Sequence, residues 1–268
     1  MYFYKKITMD FVQINKFSKL HDEGKVIFCK TDFIFEEFKN IEKIPHDIIL
    51  ITGNSDYPID ESRFHLKPNN IKKWYAQNAL INDEILVPLP IGLENKLESI
   101  RPGHGVGWGE RVVEKEKLLS RNLIVKPSKK YYSNFNIETN YSYRSKIKFI
   151  CENSPHIDWE ESNLSLTEFF DKILEYEAVI CPIGNGVDTH RLWEVLYSNR
   201  IPITIRVGNF KIYELYEKLP IIILDNENDL YNEKLLDNKL NEIKHKQFDK
   251  NIINFEFWVS QILNTTIK

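Results

Sequence analysis

Short apolar runs alternate with amphipathic segments along almost the whole chain, and this alternation restricts the fold more than any other feature. Apolar runs typical of buried strands lie at 25–29, 47–52, 84–88, 130–135, 178–183, 201–206 and 221–224. Segments such as SLTEFFDKILEYE and FKIYELYEKL lie between them and carry apolar residues at three- and four-residue spacing. Strands that alternate with helices indicate βαβ units and a parallel sheet. The sequence therefore predicts an α/β protein.

One region interrupts the alternation. Residues 94–130 contain RPGHGVGWGE and then the charged stretch ERVVEKEKLLSRN, and four of the ten glycines fall at 103–109. We interpret this region as a long loop and a connecting helix. The predicted arrangement is two Rossmann-like lobes, 1–127 and 128–268, with a cleft between them. The C-terminal segment FEFWVSQILNTTI is a candidate amphipathic helix that crosses back to brace the first lobe.

Composition narrows the function classes. With 42% hydrophobic and 28% charged residues, the chain is expected to be a soluble globular protein. A net charge of −3 gives no bulk attraction to nucleic acid, so an anionic ligand requires local cations and backbone N–H groups. Three scattered cysteines indicate buried free thiols in a reducing compartment, and no apolar run is long enough for a membrane span.

A cytoplasmic location is therefore expected. The lysine-rich segment KPSKK at 126–130 is either a solvated charge run or a contact for anionic lipid at the inner membrane face. In the second case the protein would associate peripherally with the membrane.

The stretch CPIGNGVDTHRLWEVLYSNRIPI at 181–203 places polar residues directly after a predicted strand. Open α/β sheets bind ligands at the carboxyl ends of their strands. Gly184 and Gly186 allow positive φ and a close approach of a ligand to the backbone. Asp188 or Thr189 can cap the next helix, whose N-terminus is suited to phosphate.

That helix carries three functional candidates on one face. His190, Arg191 and Glu194 are three and four residues apart, so they are neighbours on its surface. Arg191 offers a bidentate fork for phosphate oxygens, and Glu194 can accept both hydroxyls of a ribose. Cations at a helix N-terminus oppose the dipole unless an anion binds there. The structural alternative is that Asp188 is only a cap and that Arg191 and Glu194 form only an ion pair.

The same stretch, GNGVDTHRLWEVLYSNRIPI, resembles the donor-site signature of exostosin-like transferases, in which a glycine-containing loop leads into a helix with Arg and Glu and then IPI. It is also similar to the fucosyltransferase signature, in which a Thr-Glu-Lys helix start precedes IP. Thr189 and Arg191 match the Thr and Lys of that signature, whereas His190 stands in place of its Glu.

Two weaker patches extend the resemblance. SNFNIETNYSYRSK at 133–146 is similar to the start of the nucleotide-binding lobe, although it also fits an ordinary capped turn. ILITGNSDYPID and KKWYAQNALINDEILVPLPIGLEN resemble the acceptor-side lobe. The resemblance implies the GT-B architecture, with the donor in the second lobe. The donor-binding residues expected from it and from the residue pattern are Asn136, Thr139, Asn140, Arg144, Gly184, Asn185, Gly186, Asp188, Thr189, His190, Arg191 and Glu194.

The resemblance also implies a glycosyltransferase that moves a sugar from a nucleotide-sugar donor to a glycan or lipid-linked acceptor. Transfer with inversion requires a general base, and a retaining enzyme needs none. Asp56, in the loop GNSD after a strand, is the candidate base, unless it only caps the turn before Pro58. Arg191 would stabilise the leaving diphosphate. The acceptor-side candidates are Asn54, Asn78, Glu94 and His104, and the last two are reserve bases.

The spacing of the histidines and cysteines matches no metal-site motif, so no metal and no cofactor other than the donor is expected. Two other functions remain open from the sequence. The chain can be a non-catalytic nucleotide- or glycan-binding protein, or a phosphoryl-type transferase that uses the same cleft. The released nucleotide distinguishes the second of these, because that reaction leaves a nucleoside monophosphate.

Overall fold

A computed structural model describes residues 10–22, 24–95, 109–121, 123 and 125–266. These residues form two parallel sheets. The first sheet has the order β1-β2-β3-β4 and the second the order β6-β5-β7-β8-β9. Every strand pairing within them is parallel. The predicted α/β class with two Rossmann-like lobes, each built on a parallel sheet, is therefore confirmed.

The strands lie close to the predicted apolar runs, with two additions. They are β1 (Val26–Lys30), β2 (Ile48–Gly53), β3 (Ile71–Ala76), β4 (Leu86–Pro88), β5 (Lys129–Ser133), β6 (Ile157–Trp159), β7 (Tyr176–Ile180), β8 (Ile201–Ile205) and β9 (Ile222–Leu224). β3 and β6 were not expected, because two lysines interrupt the first and the second has only three residues. β7 ends before Pro182, which has no N–H for the ladder.

Nine helices lie in the described part of the chain, together with short 3₁₀ segments. They are α1 (Ile34–Ile41), α2 (Glu61–His65), α3 (Gly109–Leu119), α4 (Tyr141–Glu152), α5 (Leu166–Leu174), α6 (His190–Tyr197), α7 (Ile212–Tyr216), α8 (Glu233–His245) and α9 (Phe255–Leu263). The 3₁₀ segments are Ile14–Leu20, Thr31–Phe33, Ile137–Asn140, Glu227–Tyr231 and Lys250–Ile253. None of the helices in these residues is both long and apolar enough to cross a membrane.

Local sequence accounts for where α5 begins and how it packs. Ser165 accepts a hydrogen bond from the N–H of Glu168, and the Glu168 carboxylate accepts one from the N–H of Ser165. This capping box starts the helix. Phe169, Phe170 and Ile173 then fall on its buried face. α3, the expected connecting helix, packs against α5.

One buried apolar cluster contains side chains of both lobes. Ile51 and Tyr75 from the first sheet, and Val179 and Trp193 from the second lobe, belong to it. α9 contributes Trp258 to the same cluster. Burial of such side chains stabilises each by about 1.5–3 kcal/mol relative to exposure, so this cluster holds the two lobes together.

The C-terminal helix returns to the first lobe, which confirms the expectation for this segment. The Phe255 and Phe17 rings lie 4.8 Å apart between centroids, and the N–H of Phe255 donates to the carbonyl of Asp10 at 2.9 Å. Just past the helix end, the Thr265 hydroxyl is 2.7 Å from the hydroxyl of Tyr75 in β3. All three cysteines are free and buried, as predicted.

Gly92 is required by a close backbone approach. Its φ is +64°, and a Cβ at this position would lie 2.0 Å from the carbonyl oxygen of Val12. The Leu93 N–H donates to that same oxygen at 2.8 Å. Neither the backbone conformation nor the contact tolerates a side chain.

We expect Gly92→Ala to lower the free energy of unfolding by about 2–4 kcal/mol, because left-handed strain adds to a clash with backbone. Urea unfolding measures the change. Gly24→Ala is the matched control, since its Cβ would meet only the movable Asp22 side chain, at 3.2 Å. Equal stability of the two variants would contradict the conclusion that position 92 requires glycine.

Candidate functional site

The order of the second sheet creates a crevice between β5 and β7. The chain leaves β5 for β6 on one side and returns to β7 on the other side of β5. Such a switch point is where open α/β sheets bind ligands, at the carboxyl ends of the strands. Asn134 and Asn136 follow β5, and Pro182 to Gly184 follow β7. The predicted donor residues gather around this crevice.

Arg144, on α4, ties the two loops together. Its guanidinium donates to the carbonyls of Asn136 at 2.7 Å, Ile183 at 2.7 Å and Pro182 at 3.1 Å. The side chain is buried, and burial together with the nearby charge of Arg191 lowers its pKa to about 10. These partners are neutral carbonyls. Arg144 therefore brings a positive charge to the crevice without an ion-pair partner among the described residues.

Arg191 lies in the first turn of α6 and faces the same crevice. Its Nε donates to Glu194 Oε2 at 3.1 Å, and its Nη1 donates to the carbonyl of Asn134 after β5. The guanidinium stacks 3.9 Å from the centroid of the Phe169 ring. The Arg191–Glu194 ion pair, which the purely structural interpretation of this helix predicts, is thus present. Nη2 has no hydrogen-bond partner among the described residues, and the side chain is 23% exposed.

The N-terminus of α6 has no side-chain cap. Thr189 is the N-cap residue, but its hydroxyl makes no capping hydrogen bond, and Asp188 points to other partners. The predicted capping role of these two residues is therefore wrong. In the described part of the chain, the N–H groups of His190 and Arg191 have no partner. Uncapped N–H groups at a helix N-terminus are suited to an anion.

Asp188 is a buried structural carboxylate and does not face a ligand. Oδ1 accepts from Trp193 Nε1 at 2.7 Å and from the Tyr216 hydroxyl at 2.8 Å. Oδ2 accepts from the N–H of Ile91, in the first lobe, at 2.7 Å. Burial raises the pKa of Asp188 to about 6 despite these donors. The prediction that Asp188 binds the donor is therefore wrong.

Asn78 has a matching role from the other lobe. It is fully buried, and its Oδ1 accepts from the N–H of Asp188 at 2.9 Å. A Cβ on Gly186 would lie 2.6 Å from Asn78 Nδ2, so this glycine is required by packing between lobes. Gly184 and Gly186 do not have positive φ, contrary to the expectation. Asn78 thus holds the loop before α6 and does not face an acceptor.

Other first-lobe loops meet the same segment. Asp56 is exposed, and its Oδ2 accepts from Asn185 Nδ2 across the lobe boundary at 3.2 Å. His190 Nδ1 lies 2.8 Å from the carbonyl of Gly92. Because a carbonyl only accepts, Nδ1 of His190 carries the proton in this contact. The candidate base and the candidate donor loop are therefore adjacent.

A buried charge network joins the lobes beside Arg191. Lys115, on α3, donates to Glu94 Oε1 and to Glu194 Oε1. Burial alone would raise the pKa of Glu194, but Lys115 and Arg191 outweigh burial and hold it below its ordinary value. Both oxygens of Glu194 are already engaged, so the predicted ribose contact is not available in this arrangement. Sequence reasoning missed Lys115, whose partners lie far away along the chain.

The remaining candidates have local roles. Asn136 caps the following 3₁₀ turn by accepting from the N–H of Glu138, and the Thr139 hydroxyl donates to the carbonyl of Asn136 at 3.3 Å. This is the capped turn that the sequence left open as an alternative. Asn140 Nδ2 donates to the carbonyl of Gly184 at 2.9 Å. Asn54 Oδ1 accepts from Asn95 Nδ2 at 2.8 Å. His104 and most of the predicted glycine-rich loop lie outside the described residues.

A cavity of about 390 Å³ lies away from this crevice. It is formed by β3, β4, α7 and α9, and its lining includes Lys73, Glu84, Lys211 and Phe257. None of its lining residues comes from the loops that follow β5 and β7. We therefore place the candidate site at the crevice, where the sheet topology, the cations and the uncapped helix coincide.

Comparison with known proteins gives only a distant likeness. No family model matches the sequence, and no curated protein matches it. The chain is similar to the crystal structure of an α1,3-fucosyltransferase, with 12% identity over 90% of this chain and 79% of that chain and a TM-score of 0.44. It is also similar to an α1,3-fucosyltransferase with GDP-fucose, with 13% identity over 91% of each chain and a TM-score of 0.39. TM-scores this low identify neither a shared family nor a shared activity.

The buried position of Asp188 predicts a specific pH dependence. Since its pKa of about 6 in the folded protein lies above its ordinary value of 3.8, its stabilising contribution is present below about pH 4 and is lost as the pH rises through 6. The free energy of unfolding of the wild type minus that of Asp188→Asn should fall by roughly 2–3 kcal/mol between about pH 4 and pH 7.5.

Urea unfolding of both proteins at each pH measures this difference, and titration of all other groups cancels in it. A difference that stays constant, or that rises with pH, would show that the Asp188 pKa is not raised.

Proposed function

We propose that this protein is a glycosyltransferase that moves a sugar from a nucleotide-sugar donor to a glycan or lipid-linked acceptor. The observation that carries the proposal is the crevice at the switch point. There the uncapped N-terminus of α6, the open Nη2 of Arg191 and the unpaired charge of Arg144 converge. This combination suits a diphosphate, and the sequence resemblance at 184–202 supports the same ligand.

The same groups would stabilise the leaving group. When the bond between the sugar and the diphosphate breaks, negative charge develops on the terminal phosphate. Arg191 and the uncapped N–H groups of His190 and Arg191 would stabilise that charge. We propose that they fill this role without a metal ion. An EDTA-insensitive reaction would support this part of the proposal.

Asp56 is the proposed general base. Its carboxylate is exposed and lies against Asn185, in the loop that leads to α6. A base in the first lobe beside this loop can take the proton of an acceptor hydroxyl as it attacks the anomeric carbon. The acceptor would then approach from the first lobe, and the sugar would be transferred with inversion.

We further propose a cytoplasmic protein that works at the inner membrane face, where a lipid-linked acceptor would lie. Two lysines of the KPSKK segment are partly engaged within the protein. Lys129 pairs with Asp158 at 3.0 Å and Lys130 with Asp237 at 2.7 Å. Exposed ion pairs of this kind are weak, so both lysines can still attract anionic lipid.

The first test is a thermal-shift panel with UDP, GDP, CDP, CMP and their sugars, with and without EDTA. A nucleotide that binds only the folded protein raises stability by about 2.7 kcal/mol at a hundred times its dissociation constant. We expect one nucleotide family to shift the transition, with no effect of EDTA. No shift with any of them would contradict the donor site, and release of a monophosphate would favour the phosphoryl-type alternative.

Arg191→Ala should weaken binding of that nucleoside diphosphate by about 2–4 kcal/mol, because it removes a charged donor pair from a partly buried site. Arg191→Lys keeps the charge beside Glu194 but loses the planar fork, so we expect an intermediate loss. Calorimetry of the folded variants measures both. Arg121→Ala is the control, since Arg121 has a surface ion pair with Asp171 and should bind like the wild type.

Asp56→Asn should leave donor affinity within about twofold of the wild type, because Asp56 contacts the donor loop through Asn185 alone. Turnover should fall by about two to four orders of magnitude if Asp56 is the base. Donor binding by calorimetry and sugar transfer by nucleotide release separate the two effects. Turnover at the wild-type rate would remove Asp56 from the mechanism.

A further inference from the structure

Glu94 has a buried carboxylate oxygen that lacks a hydrogen-bond donor. The residue follows β4 in the first lobe, and its side chain is 14% exposed. Oε1 accepts from Lys115, whereas Oε2 is buried and has no hydrogen-bond partner among the described residues. Buried polar atoms are nearly always paired, and an unpaired one costs about 1–3 kcal/mol. An oxygen left unpaired by the described residues is suited to accept a hydrogen bond from a ligand.

Lys115 fixes this oxygen relative to the proposed donor site. Its side chain is 7% exposed, and its ammonium group lies between Glu94 of the first lobe and Glu194 of α6. Glu194 in turn accepts from Arg191 at 3.1 Å. A continuous series of contacts thus leads from the cation proposed to hold phosphate to the unpaired oxygen of Glu94. A ligand that carried its phosphates at Arg191 would place its neighbouring groups toward Glu94.

The neighbours of a diphosphate in a nucleotide sugar are the ribose and the transferred sugar, and both offer hydroxyl donors. The nucleoside side of the ligand belongs to the crevice of the second lobe, whereas Glu94 reaches it from the first lobe. The group between the lobes is then the transferred sugar. We infer that Glu94 Oε2 accepts a hydrogen bond from a hydroxyl of that sugar, and that Lys115 is the residue that positions the carboxylate.

This inference rests on the proposed function and names one of its specificity-determining residues. A hydrogen bond from a hydroxyl to a carboxylate is charge-assisted. A site built for such a bond strongly rejects a ligand that lacks the hydroxyl, because the buried oxygen is then left unpaired. Glu94 would therefore discriminate among donor sugars, with little effect on the affinity for the nucleoside diphosphate alone.

The test uses the nucleotide sugar found in the thermal-shift panel, its monodeoxy analogues in the sugar, and the free nucleoside diphosphate. In the wild type, one monodeoxy analogue should bind roughly 10- to 100-fold more weakly than the parent. In Glu94→Gln that difference should shrink to less than about threefold, while the affinity for the free diphosphate stays unchanged. Lys115→Met should also reduce the difference, and Lys115→Arg should restore it.

Glu177→Gln is the matched control, because Glu177 also pairs with a single lysine, Lys244, but lies outside the crevice. If Glu94→Gln does not fold, Glu94→Asp keeps the charge and is tested in its place. If every analogue loses the same affinity, relative to the parent nucleotide sugar, in the wild type and in Glu94→Gln, the inference is overturned. The proposed nucleotide site would still stand in that case. Absence of nucleotide-sugar binding by the wild type would overturn both.

Discussion

One buried carboxylate, that of Asp188, fixes the 89–93 loop of the first lobe against two helices of the second. Asp188 receives hydrogen bonds from an indole, a phenol and a backbone N–H, and the last comes from the first lobe. Burial of a charge is costly unless the charge is well bonded, and removal of a donor leaves it uncompensated. The loop at 89–93 is therefore fixed against α6 and α7. That fixed loop sets the positions of the Gly92 carbonyl on His190 and of Glu94 on Lys115.

A second set of charges is arranged around this contact. Lys115 and Arg191 neutralise Glu194 inside the protein, whereas the partners of Arg144 in the described part of the chain are carbonyl oxygens. Burial and then the nearby charge of Arg191 lower the pKa of Arg144, so the two cations lie close enough to repel each other. An anion bound between them would relieve this repulsion and remove part of the desolvation cost. The electrostatics of the crevice thus favour a negatively charged ligand before any family likeness is considered.

Periodicity along the sequence was sufficient for the two-lobed α/β fold, because buried strands and amphipathic helices depend mainly on local residues. β3 was not predicted, because its lysines interrupt the apolar run. Its position in the sheet depends on pairing with β2 and β4. The gathering of candidates around α6 also followed from local sequence. The roles of Asp188, Asn78 and Lys115 did not, because they depend on partners that only the tertiary fold brings close.

Contacts within the protein order the Arg191 side chain before any ligand binds. Glu194, the Asn134 carbonyl and the Phe169 ring hold its guanidinium from three directions and leave Nη2 open. An arginine that must order itself on binding loses side-chain entropy at that moment, on the order of 1 kcal/mol. Here that ordering occurs on folding. The internal ion pair, which alone would suggest a purely structural residue, therefore also preorganises the cation that would meet the phosphate.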